Sequence, residues 1–417
     1  MRNPLTNLVR SFRSYNYRLW ALGCLVSNVG TWMQRTAQDW LVLTQLTEHN
    51  ASAVGIVMAC QFGPQLLLLP VTGFVADYVD KRKFMRITQS LMGIFSLLLG
   101  VMTISGIITL WQVYLIAFLF GCASALDAPL RQNFVSNLVP SGDLANAVAL
   151  NSTSFNAARM IGPAIAGLLI AAIGTGWAFV LNGLSYGAIL WVLFKLRPDQ
   201  FFERDIHPVR SKGSFTAGFI YVWKRPDLRA ILLMAFVIGT FGLNFPIFIS
   251  TMAASVFHTD AKGYGLLSSC LAIGTLIGSL ISAMQTQPKM HTLLFGSVIF
   301  ALGCSIAAFS PNYLFFAVIL VVIGISTLIF NNTNNSLVQL STDPLMRGRV
   351  IAIRMAILMG GTPIGAPIVG WIINQFGARW GLAIGALSGA VSAAIAIIYL
   401  THERRMKTVS STPSSSI

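Results

Sequence analysis

The sequence predicts an all-α membrane protein of twelve transmembrane helices in two pseudo-symmetric six-helix bundles. Three observations carry that expectation. Apolar runs of spanning length recur along the chain, basic residues gather at alternate connections, and a glycine and tryptophan pattern repeats in the second half. Of 417 residues, 55% are hydrophobic and 10% charged, and the mean hydropathy is +0.71, whereas a soluble domain is about a quarter charged. A helix needs roughly 20 apolar residues to cross a bilayer. Such runs fall at 19–44, 53–76, 87–109, 112–136, 145–172, 177–196, 229–255, 263–286, 292–309, 313–340, 349–375 and 380–400.

The net charge of +15 raises the question of nucleic acid, and its distribution answers it. Arg2, Arg10, Arg13 and Arg18 precede the first span; Lys81, Arg82, Lys83 and Arg86 follow the second; the long connection after the sixth and the later even-numbered loops carry most of the rest. The opposite loops offer only Lys262 and Arg379. This asymmetry predicts both termini in the cytoplasm, and charges bordering membrane segments do not form a nucleic-acid groove. Cys24, Cys60, Cys122, Cys270 and Cys304 lie in apolar stretches without CxxC spacing, so neither a metal site nor a cofactor is expected. The first apolar run is too long for a cleaved leader and is expected to remain as an anchor.

Residues 197–228 form the only long polar interruption. They separate an amino-terminal bundle at 1–196 from a carboxy-terminal bundle at 229–400, followed by a cytoplasmic tail at 401–417. Within the linker, Phe215, Phe219, Ile220 and Trp223 are spaced for a short helix on the membrane surface. Gly167, Gly174 and Trp177 recur as Gly370, Gly377 and Trp380, displaced by 203 residues, with Pro163 and Pro367 shortly before the glycines. Internal duplication is a common design of secondary transporters.

Ionised groups at bilayer depth are costly unless paired or facing a wet cavity, which makes them functional candidates. In the first span, Gln34 and Gln38 stand one helical turn apart, as do Arg35 and Asp39 on the neighbouring stripe. Asp39 is the foremost candidate for a carboxylate that binds a proton or cation; the alternative is a structural ion pair with Arg35. Asp127 and Arg131 are four apart in span four. Arg159 lies near the middle of span five, with Asp39 as one possible partner. Asn244 precedes Phe245 and Pro246 in span seven, and span ten carries Asn331, Asn332, Asn334 and Asn335. These amides form either a polar wall or interhelical hydrogen bonds. Arg354 lies inside span eleven.

The segment GFVADYVDKRK after span two resembles the signature of the major facilitator superfamily, with Gly73, Asp77, Lys81 and Arg82 on matching positions and Asp80 where the family usually has glycine. Gly162, Pro163 and Gly167 resemble the fifth-helix packing motif of its antiporter branch. WMQRTAQDWLVLTQLT, DAPLRQNFVSNLVP and RGRV (347–350) are similar to the drug and siderophore exporter branch that includes enterobactin exporters. The resemblance implies alternation between inward-open and outward-open states, with Asp77, Lys81 and Arg82 latching the cytoplasmic side and Asp127 as their fourth-helix partner; Arg131 and Arg354 are assigned to the same gate. The fourth-helix arginine of proton-coupled drug antiporters is absent, since Ala117 stands four before Gly121.

The expected function is export of a small amphipathic molecule, a drug-like compound or a siderophore, across the bacterial inner membrane in exchange for protons. Its cavity is expected to use Gln34, Arg35, Gln38, Asp39, Arg159, Phe241, Asn244, Asn331, Asn334 and Asn335. A monomer is expected. Import of a nutrient and movement of a lysolipid remain alternatives, as does a transporter-like sensor, for which the short polar tail offers no output domain. The sequence carries no HExxH, Walker loop or Ser–His pair near an interface, so an enzyme is not expected.

Overall fold

The computed structural model describes residues 10–69, 71–72, 79–202, 215–284 and 288–411. Among them every long element is helical: α1 (Tyr15–Leu41), α2 (Ala51–Leu67), α3 (Lys81–Ile104), α4 (Leu110–Leu138), α5 (Leu144–Ile173), α6 (Thr175–Lys195), α7 (Phe215–Lys224), α8 (Pro226–Val237), α9 (Phe245–Thr251), α10 (Ala261–Ala283), α11 (Met290–Ala308), α12 (Tyr313–Ser341), α13 (Arg347–Phe376) and α14 (Ala378–Ser411). Among the described residues ten spans are long and apolar enough to cross a membrane, with α8 and α9 together forming the one at Pro226–Val256. The first two of the twelve are α1, whose apolar run is interrupted by Gln34, Arg35, Gln38 and Asp39, and the 17-residue α2.

Local chemistry sets the helix ends. The side chains of Ser14, Asn50 and Asn312 accept from backbone amides in the first turns of α1, α2 and α12, satisfying donors that a helix start leaves unpaired. Asp80 does the same for α3, accepting from the Lys83 amide at 3.1 Å. Its φ of −59° is open to any residue, so the aspartate that replaces the usual family glycine is a helix cap and strains nothing. Span seven is interrupted at Leu243 and Asn244, where Pro246 has no N–H to return to the preceding turn.

The chain divides into two compact units, one of residues 1–210 and 249–269 and the other of 211–248 and 270–417. The repeat extends beyond the three positions first visible. α4 and α12 each have 29 residues, α5 and α13 each have 30, and both pairs are displaced by 203 positions. Gly93, Gly100, Gly121 and Gly162 likewise recur as Gly296, Gly303, Gly324 and Gly365. Gly162 lets α5 approach the backbone of α1 beside Trp32 and Met33; Gly365 lets α13 approach the backbone at Thr240. A side chain at either position would collide with the facing helix.

α7 lies on α13, with Gly218 against Arg349 and Ile353. Phe219 and Trp223 stack and, with Ile220, are exposed. Beyond it, Arg225 pairs with Asp227 at 2.6 Å, and that hydrogen bond raises the arginine's pKa.

α5 and α13 both end on a glycine in one unusual conformation: Gly174 has φ 91° and ψ 164°, and Gly377 has φ 102° and ψ 165°. This region is essentially restricted to glycine. No atom lies within 4 Å of where a Cβ would sit at either. Gly174→Ala and Gly377→Ala therefore report backbone strain alone, and each should lower stability by about 1–3 kcal/mol, measured by thermal unfolding in detergent.

Candidate functional site

The polar stripe of α1 turns into the first unit. Gln34, Gln38 and Asp39 are at most 4% exposed. Asn182 of α6 donates to Gln34 Oε1 at 2.6 Å and also reaches Ser96 of α3 at 3.3 Å. Gln61 of α2 donates to Gln38 Oε1 at 3.1 Å, while Gln38 Nε2 is buried without a partner among the described residues. The Tyr264 hydroxyl donates to Asp39 Oδ2 at 3.4 Å, and Oδ1 is buried without a partner among the described residues. Tyr264 also stacks on Trp40, with ring centres 5.6 Å apart and planes 18° from parallel.

Tyr264 reaches Asp39 because α5 and the start of α10 touch backbone to backbone. Gly167 faces the carbonyl of Ala261, Gly265 faces the carbonyl of Pro163, and Ser269 donates to the Met160 carbonyl at 2.8 Å. Small residues at helix contacts permit such approach. The Gly162, Pro163 and Gly167 motif thus seats α5 on α1 on one side and on α10 on the other.

Arg35 does not form the ion pair with Asp39 that its spacing allows, nor does Arg159. Both guanidinium groups stack on one indole: Arg35 lies 5.1 Å and Arg159 5.3 Å from the ring centre of Trp32. Arg35 also lies 4.8 Å from the ring centre of Phe62. Both arginines are partly exposed.

A second polar cluster gathers at Asp127 of α4, which is 2% exposed. It accepts from Thr88 Oγ1 and Gln89 Nε2 of α3, each at 2.6 Å, and lies 4.0 Å from Arg131. Arg131 donates to Asn28 of α1 at 3.2 Å. Gly73 and Asp77 lie outside the described residues. Arg82 instead donates to the carbonyls of Leu193, Phe194 and Leu196, complementing the negative end of α6. Lys81 begins α3 and is partly exposed.

In the second unit, Arg354 is 3% exposed. It donates to Asn334 Oδ1 at 2.8 Å and to Asn331 Oδ1 at 2.6 Å, while Asn334 donates to the Ile231 carbonyl at 2.8 Å. Asn331 and Asn334 therefore tie α12 to α13 and α8, whereas Asn335 is partly exposed. Asn334 and Ile231 are the repeat positions of Arg131 and Asn28, so the same contact recurs with different chemistry. Asn244 donates to the Thr240 carbonyl at 2.7 Å, and among the described residues Asn244 Oδ1 and Thr240 Oγ1 are buried without partners. Phe241 lies on the same stretch and is partly exposed.

Gln61, Asn182, Tyr264, Thr88 and Gln89 were not distinguishable in the sequence as site residues, because lone amides and hydroxyls recur throughout such spans. The nearest signal was Gly265 and Ser269, four apart beside Tyr264, which marks a close helix contact.

A duplicated helical membrane fold with buried polar clusters is the architecture of secondary transporters. Residues 7–417 match the transmembrane secretion effector family, and the chain belongs to that family within the major facilitator superfamily. It is 28% identical over 353 residues to a staphyloferrin A transporter of Staphylococcus aureus (strain NCTC 8325 / PS 47), covering 84% of this chain and 87% of the relative. To an enterobactin exporter of Shigella flexneri it is 25% identical, covering 79% and 78%. A solved bacterial homologue of the human lysosomal transporter Spinster, inward-facing and occupied, shares the fold with a TM-score of 0.74 at 14% identity, over 93% of this chain and 97% of the other.

Asp127 holds three neighbours from α3 and α4. Asp127→Ala, which leaves Arg131 without its carboxylate, should destabilise the protein by about 3 kcal/mol or more; Asp127→Asn, which keeps an acceptor for Thr88 or Gln89, should cost less. Thermal unfolding of the two variants in the same detergent checks this order.

Proposed function

We propose that this protein exports an amphipathic organic molecule, a siderophore or drug-like compound, from the cytoplasm across the bacterial inner membrane by alternating access, using the proton gradient. The observation that carries the reading is the Asp39 carboxylate, buried in α1 with one hydrogen bond from Tyr264 and a second oxygen without a partner. A buried carboxylate half-satisfied in this way is suited to take up a proton and release it when its surroundings change. Membership of a secretion family and likeness to siderophore transporters support export of such cargo. The gathering of Lys and Arg at alternate connections supports cytoplasmic termini.

Gln34, Arg35, Gln38 and Arg159 are the proposed cargo and coupling residues of the first unit, and Phe241, Asn244, Asn331, Asn334 and Asn335 those of the second. Lys81, Arg82, Asp127, Arg131 and Arg354 are proposed to hold the cytoplasmic gate, together with Gly73 and Asp77. The exporter is proposed to act as a monomer.

Proton-driven accumulation of cargo by everted membrane vesicles tests the coupling role. Asp39→Asn should abolish the dependence on an imposed pH gradient, lowering uptake about tenfold or more, while the folded protein remains in the membrane. Unchanged gradient-driven uptake in that variant would show the coupling residue to be elsewhere. Tyr264→Phe, which removes the hydrogen bond but not the stack on Trp40, should shift the pH dependence of transport and lower the protein's thermal stability by about 1–3 kcal/mol.

A further inference from the structure

We infer that Arg35 and Arg159 form a subsite for the anionic group of the cargo, so that the exported molecule carries negative charge beside an aromatic or apolar body. The inference rests on the export reading and names its substrate class.

The arginines of the polar clusters divide into two kinds. Arg131 and Arg354 have polar side-chain partners, Asp127 and Asn28 in one case and Asn331 and Asn334 in the other. Arg35 and Arg159 make no side-chain hydrogen bond or ion pair among the described residues, and both are partly exposed. Each has its guanidinium carbon over an aromatic ring instead, Trp32 for both and, for Arg35, Phe62 as well. A ring contact of this kind uses none of the five N–H donors of a guanidinium, whose planar fork matches carboxylate or sulfonate oxygens.

The placement is built. Gly162 brings α5 against the backbone at Trp32, one turn from Arg159, and Phe155 meets Trp32 edge-on with ring centres 5.7 Å apart. Two cations drawn to one ring repel each other, so a third group of opposite charge is favoured between them. Among the described residues Asp39 makes no ion pair with either arginine, and its Oδ2 accepts from Tyr264. With two guanidinium groups and at most one ionised carboxylate, the cluster is positive in either protonation state of Asp39. Two stacked arginines flanked by Trp32, Phe62 and Phe155 fit an aryl or amphipathic anion. The driving force follows: a membrane potential negative inside favours outward movement of an anion by roughly 50-fold per charge per 100 mV.

The test uses the full chain in nanodiscs of neutral lipid, with energy transfer from tryptophan to three probes: pyrene-1-sulfonate, neutral 1-pyrenemethanol and cationic (1-pyrenylmethyl)trimethylammonium. The sulfonate should bind at least tenfold more tightly than either of the others. Arg35→Gln and Arg159→Gln should each weaken it about tenfold without changing affinity for the neutral probe, and Arg35→Lys and Arg159→Lys should restore part of the loss. The lysine variants also report that the fold survives. Equal affinity for all three probes, or sulfonate binding unchanged in Arg35→Gln/Arg159→Gln, would overturn the subsite. Uptake of the two charged probes by everted vesicles separates this from the export reading. Accumulation of the cation but not the sulfonate overturns the anion subsite and leaves export standing; arginine-dependent sulfonate binding without uptake supports the subsite and overturns export.

Discussion

The closeness of α5 to its neighbours governs the first unit. Gly162 meets the backbone of α1 at Trp32 and Met33, and one and five residues on, Pro163 and Gly167 meet the backbone at Gly265 and Ala261 of α10. Lipid offers no hydrophobic drive for helix association, so packing of small residues and interhelical hydrogen bonds do that work. From this one seam follow the positions of Arg159 on Trp32 and of Tyr264 on Asp39. A bulky residue in the seam would separate all of these side chains together.

The repeat carries the backbone plan more faithfully than the chemistry. Paired helices of equal length, paired closing glycines and paired contact glycines lie 203 residues apart. The polar groups have diverged on that plan. Where Arg131 reaches the Asn28 side chain, Asn334 reaches the Ile231 carbonyl, and the guanidinium of the second unit comes from Arg354 on α13, whose counterpart in α5 is Asn151. Unpartnered Asn244 and Thr240 oxygens beside the break in span seven have no equivalent in the continuous α1 helix. The units thus share mechanics, while the charged stripe belongs to the first.

Residues that looked alike in the sequence separate by environment. Arg35 and Asp39, four apart on α1, read equally well as an ion pair; instead the arginine turns to aromatic faces and the aspartate to a tyrosine. Asp127 and Arg131 have the same spacing and do meet, within a shell from α1 and α3. Arg82, read through its resemblance as part of a latch, closes the carbonyl end of α6, and Asp80 caps α3. Helical spacing says which side chains share a face; it does not say which neighbour that face meets.

The sequence alone determined the membrane class, the number of spans, the duplication and the family, because hydropathy, charge asymmetry and repeat spacing are summed over many residues and survive local error. It also marked the α1 stripe and the α5 glycines, since charges and backbone contacts inside a bilayer are rare enough to stand out. Only the tertiary structure decided partners. Tyr264 is 225 residues from Asp39 and Asn182 is 148 from Gln34, and a lone hydroxyl or amide acquires meaning only when packing delivers it to a buried group that needs it.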